Sequence, residues 1–106
     1  MAQFDVHRNT GKNRAAIPFV VIVQSSLFDD YRRRVVVPLV RKTSIGRVHL
    51  ASFNPSFRID GIQVVLHPLE IVSVAVGALG DHVGSLTSEG GRITGALDQL
   101  LSQAWA

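Results

Sequence analysis

The stretch that decides the fold is "RRRVVVPLV", residues 32–40. Arginines run straight into valines, and a proline arrives before the apolar run is finished. β-Branched residues fit a pleated, half-buried surface, so residues 33–41 read as a strand. Pro38 has no N–H to give to a ladder, which predicts that this strand lies at a sheet edge or carries a bulge there. Arg32, Arg33 and Arg34, with Arg41, Lys42 and Arg47 beyond them, then read as charges that guard and solubilise a Val-rich edge. Along a strand alternate residues point to opposite faces, so only some of these cations can share a patch.

Outward from this run the chain reads as strands first and a helix last. Gln3 to Arg8 alternates, with Phe4 and Val6 on one face and Gln3, Asp5 and His7 on the other. "NTGKN", residues 9–13, is turn chemistry closing a hairpin onto the β-branched run Pro18 to Gln24. Residues 25–31 form a polar loop that carries Leu27 and Phe28. In "FRIDGIQVVLHPL", residues 57–69, Asp60-Gly61 marks a hairpin between two alternating runs. "EIVSVAVGALG", residues 70–80, reads as one further strand in which Val72, Val74 and Val76 share a face and Ile71 stands apart.

From Ser88 onward the period changes. Ile93, Ala96, Leu97, Leu100, Leu101 and Ala104 fall at helical spacing and form one apolar stripe, with Ser88 placed as N-cap. Gly90, Gly91 and Gly95 each cost about 1 kcal/mol relative to Ala inside a helix, so this helix needs packing to hold it. The expected fold is mainly β: a single domain over residues 1–106, with a small, mostly antiparallel, partly closed barrel and a C-terminal helix.

Composition bounds the function. Of 106 residues 46% are hydrophobic and 18% charged, enough to bury a core. The net charge of +3 is mildly basic, below the dense field of a dedicated nucleic-acid binder. Cysteine is absent, which excludes disulfides and thiolate zinc sites and suits a reducing cytoplasm. "HRNTGKNR" before "AAIPFVVIV" imitates a secretory signal, but Pro18 interrupts the apolar run and "QSS" is a poor cleavage site. The apolar runs fall short of the ~20 residues that span a bilayer, so no membrane association is expected.

The search for chemistry yields no set. His7, His49, His67 and His82 lack metal-pair spacing, and no metal or cofactor is expected. Asp29 and Asp30 are adjacent, unlike catalytic carboxylate pairs, which come from separate segments. "TGKN" and "SEGGRITG" fail the phosphate-loop pattern, and no serine sits in a G-x-S-x-G elbow. Aromatic residues that could stack bases are not interleaved with the arginines.

Five blocks, in order, carry a resemblance: "MAQFDVHRN", "VQSSLFDD", "RRRVVVPLV", "EIVSVAVGALGDHVGSL" and "ITGALDQLLS". Together they resemble the CcdB family of plasmid and chromosomal toxins over nearly the whole chain. The resemblance implies an SH3-like antiparallel β barrel with a small extra sheet and a C-terminal α-helix, the CcdB/MazF/Kid-like fold, with residues 33–41 as its edge strand. It also implies a cytoplasmic homodimer that is not itself an enzyme. Such a toxin enters the DNA gyrase A subunit and traps the cleavage complex, without sequence-specific nucleic-acid contact of its own. A CcdA-like antitoxin neutralises it through a flexible segment.

The same resemblance assigns residues. Gln3 and Phe4 match the N-terminal Gln-Phe near the antitoxin surface, and Arg33 and Arg34 match arginines expected there. Leu27 and Phe28 match an apolar loop pair implicated in gyrase contact. Asp98, Leu101, Ser102, Gln103, Ala104 and Trp105 cover the gyrase-facing helix end. Here the chain departs from the family, whose helix commonly ends in Gly-Ile: Gln103 and Ala104 stand in that place, and Trp105 and Ala106 overhang. The departure bears on potency rather than fold. The alternatives are an endoribonuclease of the MazF/Kid type, drawing on Arg33, Arg34, His49 and Asp60, and a family member that has lost toxicity.

Overall fold

The computed structural model describes residues 1–48 and 50–102. Its elements are β1 (Asp5–Arg8), β2 (Phe19–Ile22), β3 (Arg33–Arg41), α1 (Lys42–Ile45), β4 (Ser56–Ile59), β5 (Ile62–Leu66), β6 (Val72–Ala75), β7 (His82–Ser85) and α2 (Gly90–Ser102). The strands join in the order β4-β5-β3-β2-β1-β7, with β6 also pairing β3, and every pairing is antiparallel.

The sheet curls into a half-barrel. Asp60, at the tip of the β4–β5 hairpin, meets Arg8 at the end of β1 at 3.1 Å, although β3 and β2 lie between them in the strand order. The cross-strand row Val6–Val21–Val37 and the row Phe19–Leu39–Leu66 line the concave face. Phe57, Ile59 and Val64 join them in one buried cluster. α2 closes this face with Ile93 and Ala96, both fully buried. Arg92 fastens the helix by donating to the Ser56 carbonyl and by lying 4.7 Å from the centre of the Phe57 ring.

The local signals that hold are the short-range ones. Asp60 and Gly61 both have positive φ, 52° and 78°, as a two-residue type I′ turn requires. Gly80 is needed for a different reason: a Cβ there would stand 2.6 Å from the Arg8 carbonyl oxygen, in the close crossing between β1 and the approach to β7.

Several expectations are corrected. β3 is not an edge strand but the centre of the sheet, with β2 on one side and β5 and β6 sharing the other. Pro38 is tolerated there because of where its missing N–H faces. Its carbonyl accepts from the His67 N–H at 3.1 Å, and in a strand the N and O of one residue point the same way. That side is the gap where β5 has ended at Leu66 and β6 has not begun, so no ladder bond is forfeited. The run after Glu70 is not one strand: β6 stops at Ala75, a 3₁₀ turn covers Val76–Ala78, and β7 follows separately. Ser88 is not the N-cap, because a 3₁₀ turn over Thr87–Glu89 leads into α2 and Ser85 Oγ accepts the Thr87 N–H. The apolar stripe ends early as well: Leu101 is 77% exposed. Ala104 lies outside the described residues.

Candidate functional site

Gln3, Leu27, Phe28, Arg33 and Arg34 of the expected site residues gather around the loop between β2 and β3, and side-chain hydrogen bonds from its two ends give that loop its shape. At Gln24 the chain leaves the sheet, but its side chain stays behind as a substitute ladder. The Gln24 Oε1 accepts from the Val35 N–H at 3.0 Å, and Nε2 donates to the carbonyls of Phe28 and Arg33 at 3.1 and 3.3 Å. Ser25 Oγ accepts the Leu27 N–H and starts a 3₁₀ turn over Ser26–Phe28. From the other end Arg34, only 5% exposed, donates to the carbonyls of Asp29, Tyr31 and Arg33 at 2.6–2.9 Å. Its Nε lies 3.9 Å from the Asp29 carboxylate.

This lacing presents apolar groups outward. Leu27 and Phe28 are 81% and 46% exposed on the turn, and Phe28 meets Tyr31 edge-to-face at 6.1 Å between ring centres. Gln3 joins the same cluster: its backbone N–H donates to Ser26 Oγ and its side chain to the Val23 carbonyl. Phe4 departs from extended geometry, with φ of 69°. Its N–H donates to Ile22, its carbonyl accepts from Leu86, and its ring packs so closely on Gly90 that a Cβ there would lie 2.7 Å from it. Arg33 points outward to β6, donating from Nε to Ser73 Oγ at 2.8 Å and from Nη2 to the Ser73 carbonyl at 2.7 Å. Beside it Gln24, Phe28, Tyr31, Arg33 and Val35 line a cavity of about 310 Å³.

The structure therefore brings Gln3, Leu27, Phe28, Arg33 and Arg34 together and connects Phe4 to the start of α2. It does not bring the end of α2 to them. Asp98, Leu101 and Ser102 are exposed there, where Gln99 donates to Ser52 Oγ and the helix packs near the turn Pro68–Glu70. Gln103, Ala104 and Trp105 lie outside the described residues, as does His49. Asp60 is kept apart from Arg33 and Arg34 by register. It sits past the Arg41 end of β3, opposite the end that carries the arginines, and pairs with Arg8.

Sequence reasoning passed over Gln24, Tyr31 and Ser73. The only signal for Tyr31 was its place next to the arginines, and Gln24 and Ser73 acquire their roles from strand register alone. Among the described residues no group of His, Cys, Asp or Glu is placed to hold a metal ion, and no helix is long and apolar enough to cross a membrane. His7, buried on β1, donates from Nδ1 to the Gly80 carbonyl at 2.9 Å, a structural bond.

Comparisons with known proteins bear on this site. A family model described as "CcdB protein" matches residues 3–102. No curated protein matches the sequence. An endoribonuclease from a mycobacterial species, solved in complex with its cognate antitoxin, is similar at TM-score 0.78 and 18% identity, over 100% of this chain and 99% of that one. A second mycobacterial endoribonuclease is similar at TM-score 0.72 and 19% identity, over 100% of this chain and 95% of that one. At such identities the likeness shows the fold. It also corrects the expectation that the chain is not an enzyme, because two proteins of this fold are endoribonucleases.

Proposed function

The chain belongs to the family of CcdB proteins, and from that membership we propose that it poisons DNA gyrase. It is the toxin of a toxin–antitoxin system. The observation that carries the gyrase reading is the family match over residues 3–102, nearly the whole fold. The toxin binds the gyrase A subunit and traps the covalent cleavage complex, working in the cytoplasm where gyrase and DNA are. Leu27 and Phe28, held outward on a laced turn, form one gyrase-facing patch. The end of α2, with Asp98, Leu101 and Ser102, forms the other, and Gln103, Ala104 and Trp105, which follow in the sequence, are assigned to the same contact.

These two patches lie apart on one chain, and a homodimer supplies a continuous surface. Leu69, Ile71 and Val72 are 67%, 39% and 47% exposed in succession along the approach to β6, an apolar stretch that a second copy of this chain would cover. A CcdA-like antitoxin neutralises the toxin at Gln3, Phe4 and Arg33, with Arg34 acting by holding the loop in place. The mycobacterial endoribonuclease solved with its antitoxin supports such a partner.

A second reading, RNA cleavage, is favoured by the two endoribonucleases that share this fold. One experiment separates the two. The purified protein is incubated with gyrase, ATP and supercoiled plasmid, then denatured, with a structured RNA treated in parallel. Gyrase-dependent linear DNA is the expected product. Intact plasmid, with a gyrase sensitive to another family member, together with cut RNA would replace the gyrase reading by the ribonuclease one.

A further inference from the structure

We propose that the cavity beside Arg33 takes one bulky apolar side chain of the antitoxin, flanked in that polypeptide by an acidic residue. The inference rests on the toxin–antitoxin reading and gives the chemistry of the contact. The cavity, about 310 Å³, is an open depression at the lower bound of ligand-site volumes, so it suits a single side chain laid against it rather than a large cofactor. Phe28, Tyr31 and Val35 line it, an apolar surface against which a bulky apolar side chain is stabilised by the area it removes from water.

The rim supplies charge. Ser73 takes Nε and Nη2 of Arg33, which fixes the guanidinium plane before any partner arrives. Among the described residues no partner is recorded for Nη1, the atom that would meet a carboxylate. A guanidinium already held in place loses little freedom on forming a charge-assisted bond. Arg32, also exposed, adds positive charge beside it, while the Asp29 carboxylate lies toward Arg34. Acidic and apolar residues in one short segment answer both features.

An unpaired nucleobase fits less well. Base recognition needs hydrogen-bonding edges as well as stacking, and the amide suited to read an edge, that of Gln24, is committed at both ends to the backbone of Phe28, Arg33 and Val35.

The test is a titration of isotope-labelled protein, followed by amide chemical shifts. The probes are acetyl-Asp-Leu-Phe-Asp-amide, its neutral counterpart acetyl-Asn-Leu-Phe-Asn-amide, and hexauridylate. The acidic peptide should shift the amides of Gln24, Tyr31, Arg33 and Val35, and bind about fivefold more tightly than the neutral one. Arg33→Gln should erase that difference without weakening the neutral peptide, whereas Ser73→Ala should only reduce it, because it removes the bond to Nε while the Ser73 carbonyl still holds Nη2 and the charge is kept. Tyr31→Ala should weaken both peptides, with unshifted amides elsewhere showing that the fold is kept. No shift at millimolar peptide, shifts at another surface, or tighter binding of hexauridylate at these amides would overturn the proposal. Growth arrest on expression, and its relief by the antitoxin encoded with the gene, reports on the toxin–antitoxin reading separately. Relief that persists unchanged in Tyr31→Ala and Arg33→Gln would sink the cavity while leaving that reading intact.

Discussion

Replacing Arg34 with alanine leaves the carbonyls of Asp29, Tyr31 and Arg33 without their shared donor, beneath a loop that has no strand partner of its own. Bonds from a charged donor contribute about 1.5–3 kcal/mol, so urea denaturation should show a loss in that range. Arg34→Lys should recover little, since an ammonium cannot reproduce the planar fork that reaches three carbonyls. Two glycines provide a graded comparison. At Gly80 a Cβ meets a backbone oxygen, which cannot move without shifting β1, whereas at Gly90 it meets the Phe4 ring, which can swing. Gly80→Ala is expected to cost about 2–3 kcal/mol and Gly90→Ala about 1 kcal/mol, measured the same way. The roles of Arg34 and Gly80 are invisible in the sequence, where an arginine in a triplet reads as solvated charge and a glycine as a turn. Both depend on what the fold places against them.

At the scale of elements, α2 divides cleanly into a buried and an exposed side. Ile93→Ala opens a cavity under the sheet and should cost about 2–5 kcal/mol. Leu101→Ser, on an exposed face, should stay within about 0.5 kcal/mol by thermal or urea unfolding. If Leu101→Ser nonetheless lowers gyrase-dependent linearisation, the helix end acts by contact and not by folding. Elements set by neighbours in sequence were legible: the Asp60-Gly61 hairpin, the β1–β2 hairpin and the existence of α2. Those set by distant partners were not. Pro38 suggested an edge because the rule forbids a lost ladder bond, and nothing local shows that the opposite strand breaks across from it. β7 escaped notice because His82, Val83, Gly84 and Ser85 carry too little alternation, and its pairing with β1 is what makes it a strand. Ser85 displaced Ser88 as the hydroxyl at the helix approach because the first turn is 3₁₀, which periodicity does not resolve.

For the whole molecule, the two exposed patches give the target assay its logic. Truncation after Ser102 keeps every member of the buried cluster among the described residues, so the fold should survive, as near-identical circular dichroism and unchanged sedimentation would show. The same truncation should abolish gyrase-dependent linear DNA. Persistence of linear product would place the contact on Leu27 and Phe28 alone. Family membership was legible from ordered sequence blocks, and the barrel class from strand-like periodicity. The chemistry was less so, because the same backbone serves endoribonucleases, and residues such as Arg33 suit a protein carboxylate or a phosphate equally well.

The central place of β3 has a consequence for how the molecule opens. One edge of this strand is taken by β2, and the other is divided lengthwise between β5 and β6. No hairpin can peel away carrying half of the sheet, since each would have to leave the same strand. Native-state hydrogen exchange should therefore find the bonded amides of β3 opening together, at the free energy of global unfolding, while the loop beneath Gln24 exchanges through smaller local openings. The loop between β2 and β3 can thus open locally without loosening the barrel.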